Sequence, residues 1–159
     1  MSFPERVYTT EEVRKAKTLI DKGYKHSIQV KGNPAFTKKA ERALDLVKTA
    51  GYFDYTRTYI RSIEEIDGLT QLREADAAIW ANKYAVENSV DAASLFVQKA
   101  SHMKEYLEST LYYGGEAEKR STRKRVEFLE ALKRESKEKE IVAECERLIN
   151  MWRESSLVY

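Results

Sequence analysis

Backbone-breaking residues are scarce in this chain: two prolines, Pro4 and Pro34, and six glycines in 159 residues. Proline removes a backbone donor and glycine costs a helix interior about 1 kcal/mol relative to alanine, so long stretches remain free to hold helix. The glycines are also placed like punctuation. Gly23, Gly32, Gly51, Gly68 and the pair Gly114-Gly115 stand where helical periodicity stops, as suits a residue that adopts the left-handed conformation closing many helices.

Between these breaks the apolar residues recur every three or four positions. Thr9-Thr10-Glu11-Glu12 fits a capping box, and Val13, Ala16, Ile20 and Tyr24 follow it, which predicts a first helix continuing past Gly23 to Ile28 or Val30. A short strand over residues 27–31 is the alternative. Asn33-Pro34 joins a good cap to a residue pre-set for the first helical turn. Phe36, Ala40, Ala43, Leu44 and Val47 then predict a second helix ending near Gly51. Asp54 caps a third, with Tyr55, Tyr59, Ile60, Ile63 and Ile66 on one face and Gly68 after it.

From Leu69 to Glu87 the apolar positions Leu72, Ala75, Ile79, Trp80, Tyr84, Ala85 and Val86 cover more than one stripe, which predicts a central helix with neighbours on two sides. Asn88-Ser89 marks the next break. Val90, Ala93, Val97, Ala100, Met103, Leu107 and Leu111 predict a helix reaching Tyr113. After Gly114-Gly115 neither glycine nor proline occurs. Val126, Leu129 and Leu132, followed on a displaced phase by Ile141, Cys145, Leu148 and Trp152, predict one long final helix across the charged stretch 133–140, because the breakers of a hairpin are absent. A cap at Ser136 opening a separate helix is the alternative. The expected fold is all-α: an up-and-down bundle of five to six helices with a long C-terminal helix, residues 1–159 forming one domain.

Charged residues make up 34% of the chain and hydrophobic ones 42%, so a core requires the apolar residues to gather on particular faces. No apolar run approaches the ~20 residues of a membrane span, and residues 1–6 lack the apolar segment of a secretory signal. The expected location is the cytoplasm, with no membrane partner. A net charge of +2 is small for a dedicated nucleic-acid binder.

Few residue groups carry the spacing that chemistry needs. His102 precedes Glu105 by three positions, whereas di-iron bundles use the reverse order, Glu-x-x-His, on two helices; a partly exposed surface pair is the expectation. In the acidic series, Glu64 with Asp67 and Glu87 with Asp91 have the spacing by which all-helical nucleotide pyrophosphatases hold magnesium from facing helices. A solvated acidic face accounts for the same residues. Gly114-Gly115 before Lys119-Arg120 lacks the strand and the spacing of a phosphate-binding loop.

Two further groups bear on partners. Lys119, Arg120, Arg123, Lys124 and Arg125 form the densest charge cluster and suit phosphate contact, although Glu116, Glu118, Glu127 and Glu130 are spaced for ordinary intrahelical pairing. Ten tyrosines, with concentrations at Tyr52–Tyr59 and Tyr112-Tyr113, suit protein contacts, where the ring packs and the hydroxyl stays hydrated. If the last helix is continuous, the stripe Ile141, Cys145, Leu148 and Trp152 lacks an internal neighbour. The leading reading is therefore a non-enzymatic helical interaction or structural protein that self-associates as a dimer or tetramer through this stripe together with Tyr55 and Tyr59, without a cofactor. Cys145 reads as a buried inert thiol. The alternatives are a nucleic-acid binder using residues 119–125 and a magnesium-dependent nucleotide hydrolase using Glu64, Asp67, Glu87 and Asp91.

Overall fold

The computed structural model describes residues 2–110 and 114–158, with side chains through Ser155. Leu111 and Tyr112-Tyr113, which the periodicity places at the end of a helix, lie outside the described residues. The elements in chain order are α1 (Thr10–Asp21), β1 (Gln29–Lys31), α2 (Pro34–Thr49), α3 (Phe53–Tyr59), β2 (Ser62–Glu65), β3 (Gln71–Arg73), β4 (Ala78–Ala81), α4 (Ser89–Leu107), α5 (Gly115–Glu135) and α6 (Lys139–Val158).

The all-α expectation is overturned: four short strands form one mixed sheet in the order β1-β2-β4-β3. β1, β2 and β4 run parallel, and β3 closes the edge antiparallel to β4. Val30 pairs with Ile63, Ile63 with Ile79 and Ile79 with Leu72. These four side chains make the inner face, buried at Ile63, Ile79 and Leu72.

The expected third helix stops at Tyr59, where Ile60 turns extended at φ −111° and ψ 120°, and Ile63 and Ile66 belong to β2 and the loop after it. Ile60, Ile63 and Ile66 are three apart, so they satisfy helical periodicity while being strand-forming residues. Ala77-Ala78-Ile79-Trp80-Ala81 is similarly ambiguous, since a strand covered on both faces reads as a continuous apolar run. The helix expected over residues 69–87 is instead β3, a 3₁₀ turn, β4 and a second 3₁₀ turn. Gln29–Lys31 form β1, within the short strand that was the alternative for residues 27–31.

The single long C-terminal helix is also overturned. Ser136 leaves helical conformation at φ −77° and ψ 141°; its amide donates to Leu132 O at 2.8 Å and its Oγ accepts from the Glu138 amide at 3.2 Å. Ser136 thus serves both sides of the corner, its amide closing α5 and its hydroxyl capping the start of α6, so no glycine is needed. α5 and α6 fold back on each other, with Lys133 paired to Glu146 and Arg153 to Glu130. α4 likewise ends without glycine: Ser109 takes φ +59°, and the Thr110 amide donates to Glu105 O at 2.8 Å.

α4 is the hub, touching α2, α3, α5, α6 and β3. One buried apolar cluster extends from Val7 to Ile149, with Phe36, Ile63, Ile79, Phe96, Met103, Phe128 and Leu148 among its members. The architecture is therefore a sheet overlaid by helices rather than an up-and-down bundle. Among the described residues no helix is long and apolar enough to cross a membrane.

Candidate polar centre between α4 and α5

α4 carries two stripes on opposite sides. Val90, Ala93, Val97, Ala100, Met103 and Leu107 are buried in the core. Asp91, Ser94, Gln98, His102 and Glu105 recur at intervals of three and four on the other side, and this polar stripe meets α5. The pairings run antiparallel: Glu105 with Arg120, Gln98 with Ser121, and Asp91 with Arg125.

Arg125 is the centre of this contact and is only 6% exposed. Its guanidinium donates to four oxygens of α4: Ser94 Oγ at 3.1 Å, Gln98 Oε1 at 3.3 Å, Asp91 O at 3.3 Å and Asp91 Oδ1 at 2.8 Å. The Trp152 ring of α6 lies 4.4 Å from the guanidinium carbon. Burial pulls the Arg125 pKa down, and the Asp91 charge and hydrogen bond oppose that shift. A charge so placed is tolerable because its donors are engaged. Gln98 is fixed twice, accepting from Arg125 and donating through Nε2 to Ser121 Oγ.

Gln98-Lys99-Ala100-Ser101-His102 has the spacing of the helical His-Glu-x-x-His motif, in which two imidazoles one turn apart hold zinc and the glutamate acts as base. Only the second imidazole is present here. Gln98 and Lys99 occupy the positions of the first histidine and the base. Burial, with Arg125 nearby, lowers the Lys99 pKa, and Glu74 opposes this. His102 is pushed down to about 4 by burial and by the positive charges of Lys99, Arg120 and Arg125. The donor set does not fit a divalent cation: one neutral imidazole stands among cations, and the oxygen acceptors are taken by a guanidinium. Among the described residues no three His, Cys, Asp or Glu side chains converge as a metal ion requires.

The acids singled out from the sequence are dispersed. Glu64 lies on β2, where it accepts from Ser62 Oγ at 2.7 Å; Asp67 is exposed in the following loop. Glu87 pairs with Lys39 at 2.5 Å, and Asp91 holds Arg125. Glu64 and Asp67 are not on a helix, and Glu87 precedes the start of α4, so neither pair shares a helical face.

The basic cluster radiates around α5. Lys119 pairs with Glu116, Arg120 with Glu105 and Lys124 with Glu127; Arg123 is exposed and Arg125 is interior. No single face presents all five.

Ile141, Cys145 and Leu148 are buried within the chain, and Trp152 packs against the same core. The folding back of α6 therefore supplies the neighbour that a continuous helix lacks. Tyr55 and Tyr59 stack edge to face at 5.5 Å, and Lys124 of α5 lies 5.1 Å from the Tyr55 ring centre.

The apolar period of α4 is plain in the sequence, whereas the polar stripe on the opposite side of the helix was not recognised there as a site. Its signal was legible in Asp91, Ser94, Gln98 and His102, yet nothing local indicated that Arg125 would close it. Comparisons of the chain with known protein families, with curated proteins and with solved structures find no match.

Proposed function

We propose that this chain is a non-enzymatic interaction protein whose α4–α5 centre is a structural latch rather than a reaction site. The observation that carries the reading is the Arg125 guanidinium within bonding distance of Asp91, Ser94 and Gln98. A fixed internal cation occupies the acceptors a metal would need, and Lys99 cannot serve as the carboxylate base of a metal-dependent hydrolase.

The interaction proposed is self-association, and the surface that supports it is the rim at the C-terminal ends of β2 and β4. Leu69 is 84% exposed and Tyr84 is 73% exposed. Asn82 holds both segments: its amide donates to Thr70 Oγ1, its Nδ2 donates to Gly68 O, and its Oδ1 accepts from the Tyr84 and Ala85 amides. An apolar pair on a braced backbone loses little entropy on docking, and tyrosine is enriched in such contacts.

Two measurements test the reading together. Light scattering over a range of concentrations gives a dimeric or tetrameric mass, shifted toward monomer by Leu69→Asp or Tyr84→Asp. Equilibrium dialysis against Zn²⁺ with elemental analysis gives less than one metal per chain. A strictly monomeric mass removes the self-association half, and stoichiometric zinc with turnover of a peptide substrate removes the non-enzymatic half.

A further inference from the structure

A groove of about 540 Å³ runs along the outside of the α5–α6 hairpin, lined by Lys119, Thr122, Arg123, Val126 and Glu127 of α5 and Arg153 of α6. The α5 residues follow one another at helical spacing, so they share one face. The wall is mostly apolar, because Val126 and the aliphatic stems of the long basic side chains form it. This volume falls in the ordinary range for small-molecule sites.

Its charges are unequal in availability. The one acid among the described residues lining it, Glu127, is held by Lys124 at 3.1 Å and accepts from the Tyr52 hydroxyl. Lys119 is drawn to Glu116 at 3.5 Å, and Arg153 donates to Glu130 at 2.9 Å. Arg123 is exposed and has no ion pair or hydrogen bond among the described residues. The groove thus offers an apolar floor, one uncommitted guanidinium and two further cations at its rim.

We propose that this groove binds an amphiphilic anion, a molecule with an apolar chain or ring system and one carboxylate, sulfonate or phosphate head. The apolar body lies on Val126 and the basic stems, and the head takes two parallel hydrogen bonds from Arg123, a geometry guanidinium groups favour. The site is separate from the Arg125 centre, which faces α4. It also makes use of the basic cluster without phosphate contact along a nucleic acid.

Isothermal titration of the full chain with acetate, octanoate and dodecanoate, each below its micellar concentration, tests the proposal. Affinity rises with chain length, and dodecanoate saturates at one per chain. Arg123→Gln weakens dodecanoate binding by about tenfold or more, as expected for loss of a charge-assisted contact, whereas Lys137→Gln in the α5–α6 corner leaves it unchanged. Octanol at matched concentration fails to compete with octanoate. Thr122→Trp, which fills the groove without altering a charge, abolishes uptake, with circular dichroism verifying that each variant is folded. Absence of saturable binding, equal competition by octanol, affinity independent of chain length, or binding indifferent to both Arg123→Gln and Thr122→Trp overturns it.

Discussion

The Arg125 guanidinium of α5 lies 2.8 Å from the Asp91 carboxylate in the first turn of α4, with the Arg125 side chain 7% exposed and the Asp91 side chain 39% exposed. The two partners are therefore unequal, and so are the consequences of removing them. Asp91→Ala leaves a buried guanidinium short of its counter-charge, for which about 3 kcal/mol is the expected cost. Arg125→Met removes the buried charge, leaves Asp91 within reach of water, and costs about 1 kcal/mol. Denaturant midpoints of the two variants, compared at equal slope, check the asymmetry; a larger loss for Arg125→Met contradicts it.

Two histidines confer an acid sensitivity above the carboxylate range. His26 packs edge-on against the stacked Phe3 and Tyr24 rings, its Nε2 buried without a hydrogen-bond partner among the described residues. Burial and the nearby Arg61 push it down to about 4, as burial and cations do for His102. Because the folded pKa lies below the ordinary 6.5, the unfolded chain binds more protons between these values. Stability is then full above about pH 6.5 and falls as pH drops toward 4, by roughly 1–2 kcal/mol for each imidazole at pH 5. Urea midpoints at pH 8, 6.5 and 5 follow this loss, and His26→Phe reduces its slope.

Cys145 is fully buried, and burial beside Glu144 pushes its thiol up to about 11. A thiol reagent at pH 8 should label the folded chain slowly and the urea-unfolded chain at once. Rapid labelling under native conditions would show that α6 opens locally.

Leu148 is buried on the same helix, so Leu148→Glu acts on the fold of each chain rather than on its association. The expected loss is about 3 kcal/mol or more, from the missing apolar contacts and an unpaired buried carboxylate. Thermal unfolding by circular dichroism reads it directly. A variant that keeps its melting temperature but changes its mass in light scattering would place Leu148 at an interface.

Gly32 follows β1 at a point of close approach. A Cβ there would stand 2.8 Å from the Glu65 Cβ and 2.8 Å from Phe36 Cδ1, closer than packed carbons come. Glu65 Oε1 also accepts from the Asn33 amide at 2.9 Å, so displacing it disturbs the start of α2. Gly32→Ala is expected to cost about 1–3 kcal/mol, measurable as a lowered denaturant midpoint, while Gly115→Ala, with open space around it, leaves the midpoint nearly unchanged.

Local chemistry alone determined a good part of this protein. The Thr9 capping box, the Asn33 cap before Pro34 and the Asn88 cap before α4 are all present, because capping joins side chains to amides only two or three residues away. The apolar faces of α2 and of α4 through Leu107 were legible for the same reason. The sheet was not. Ile63 and Ile79 satisfy either periodicity, and their identity as strand residues arises from pairing with each other, with Val30 far back in the chain, and with Leu72 on the adjoining strand β3. The α5–α6 corner depended on a single serine, and the fate of Ile141, Cys145 and Leu148 depended on that corner. The polar centre was the least local of all: Arg125 lies 34 residues from Asp91, so one basic residue among five neighbours became an interior cation only when α5 was laid against the polar stripe of α4. Residue spacing encodes contacts within a helical turn; which face meets which is decided when the sheet and helices pack, because only then is each charge either left in water or enclosed with its partner.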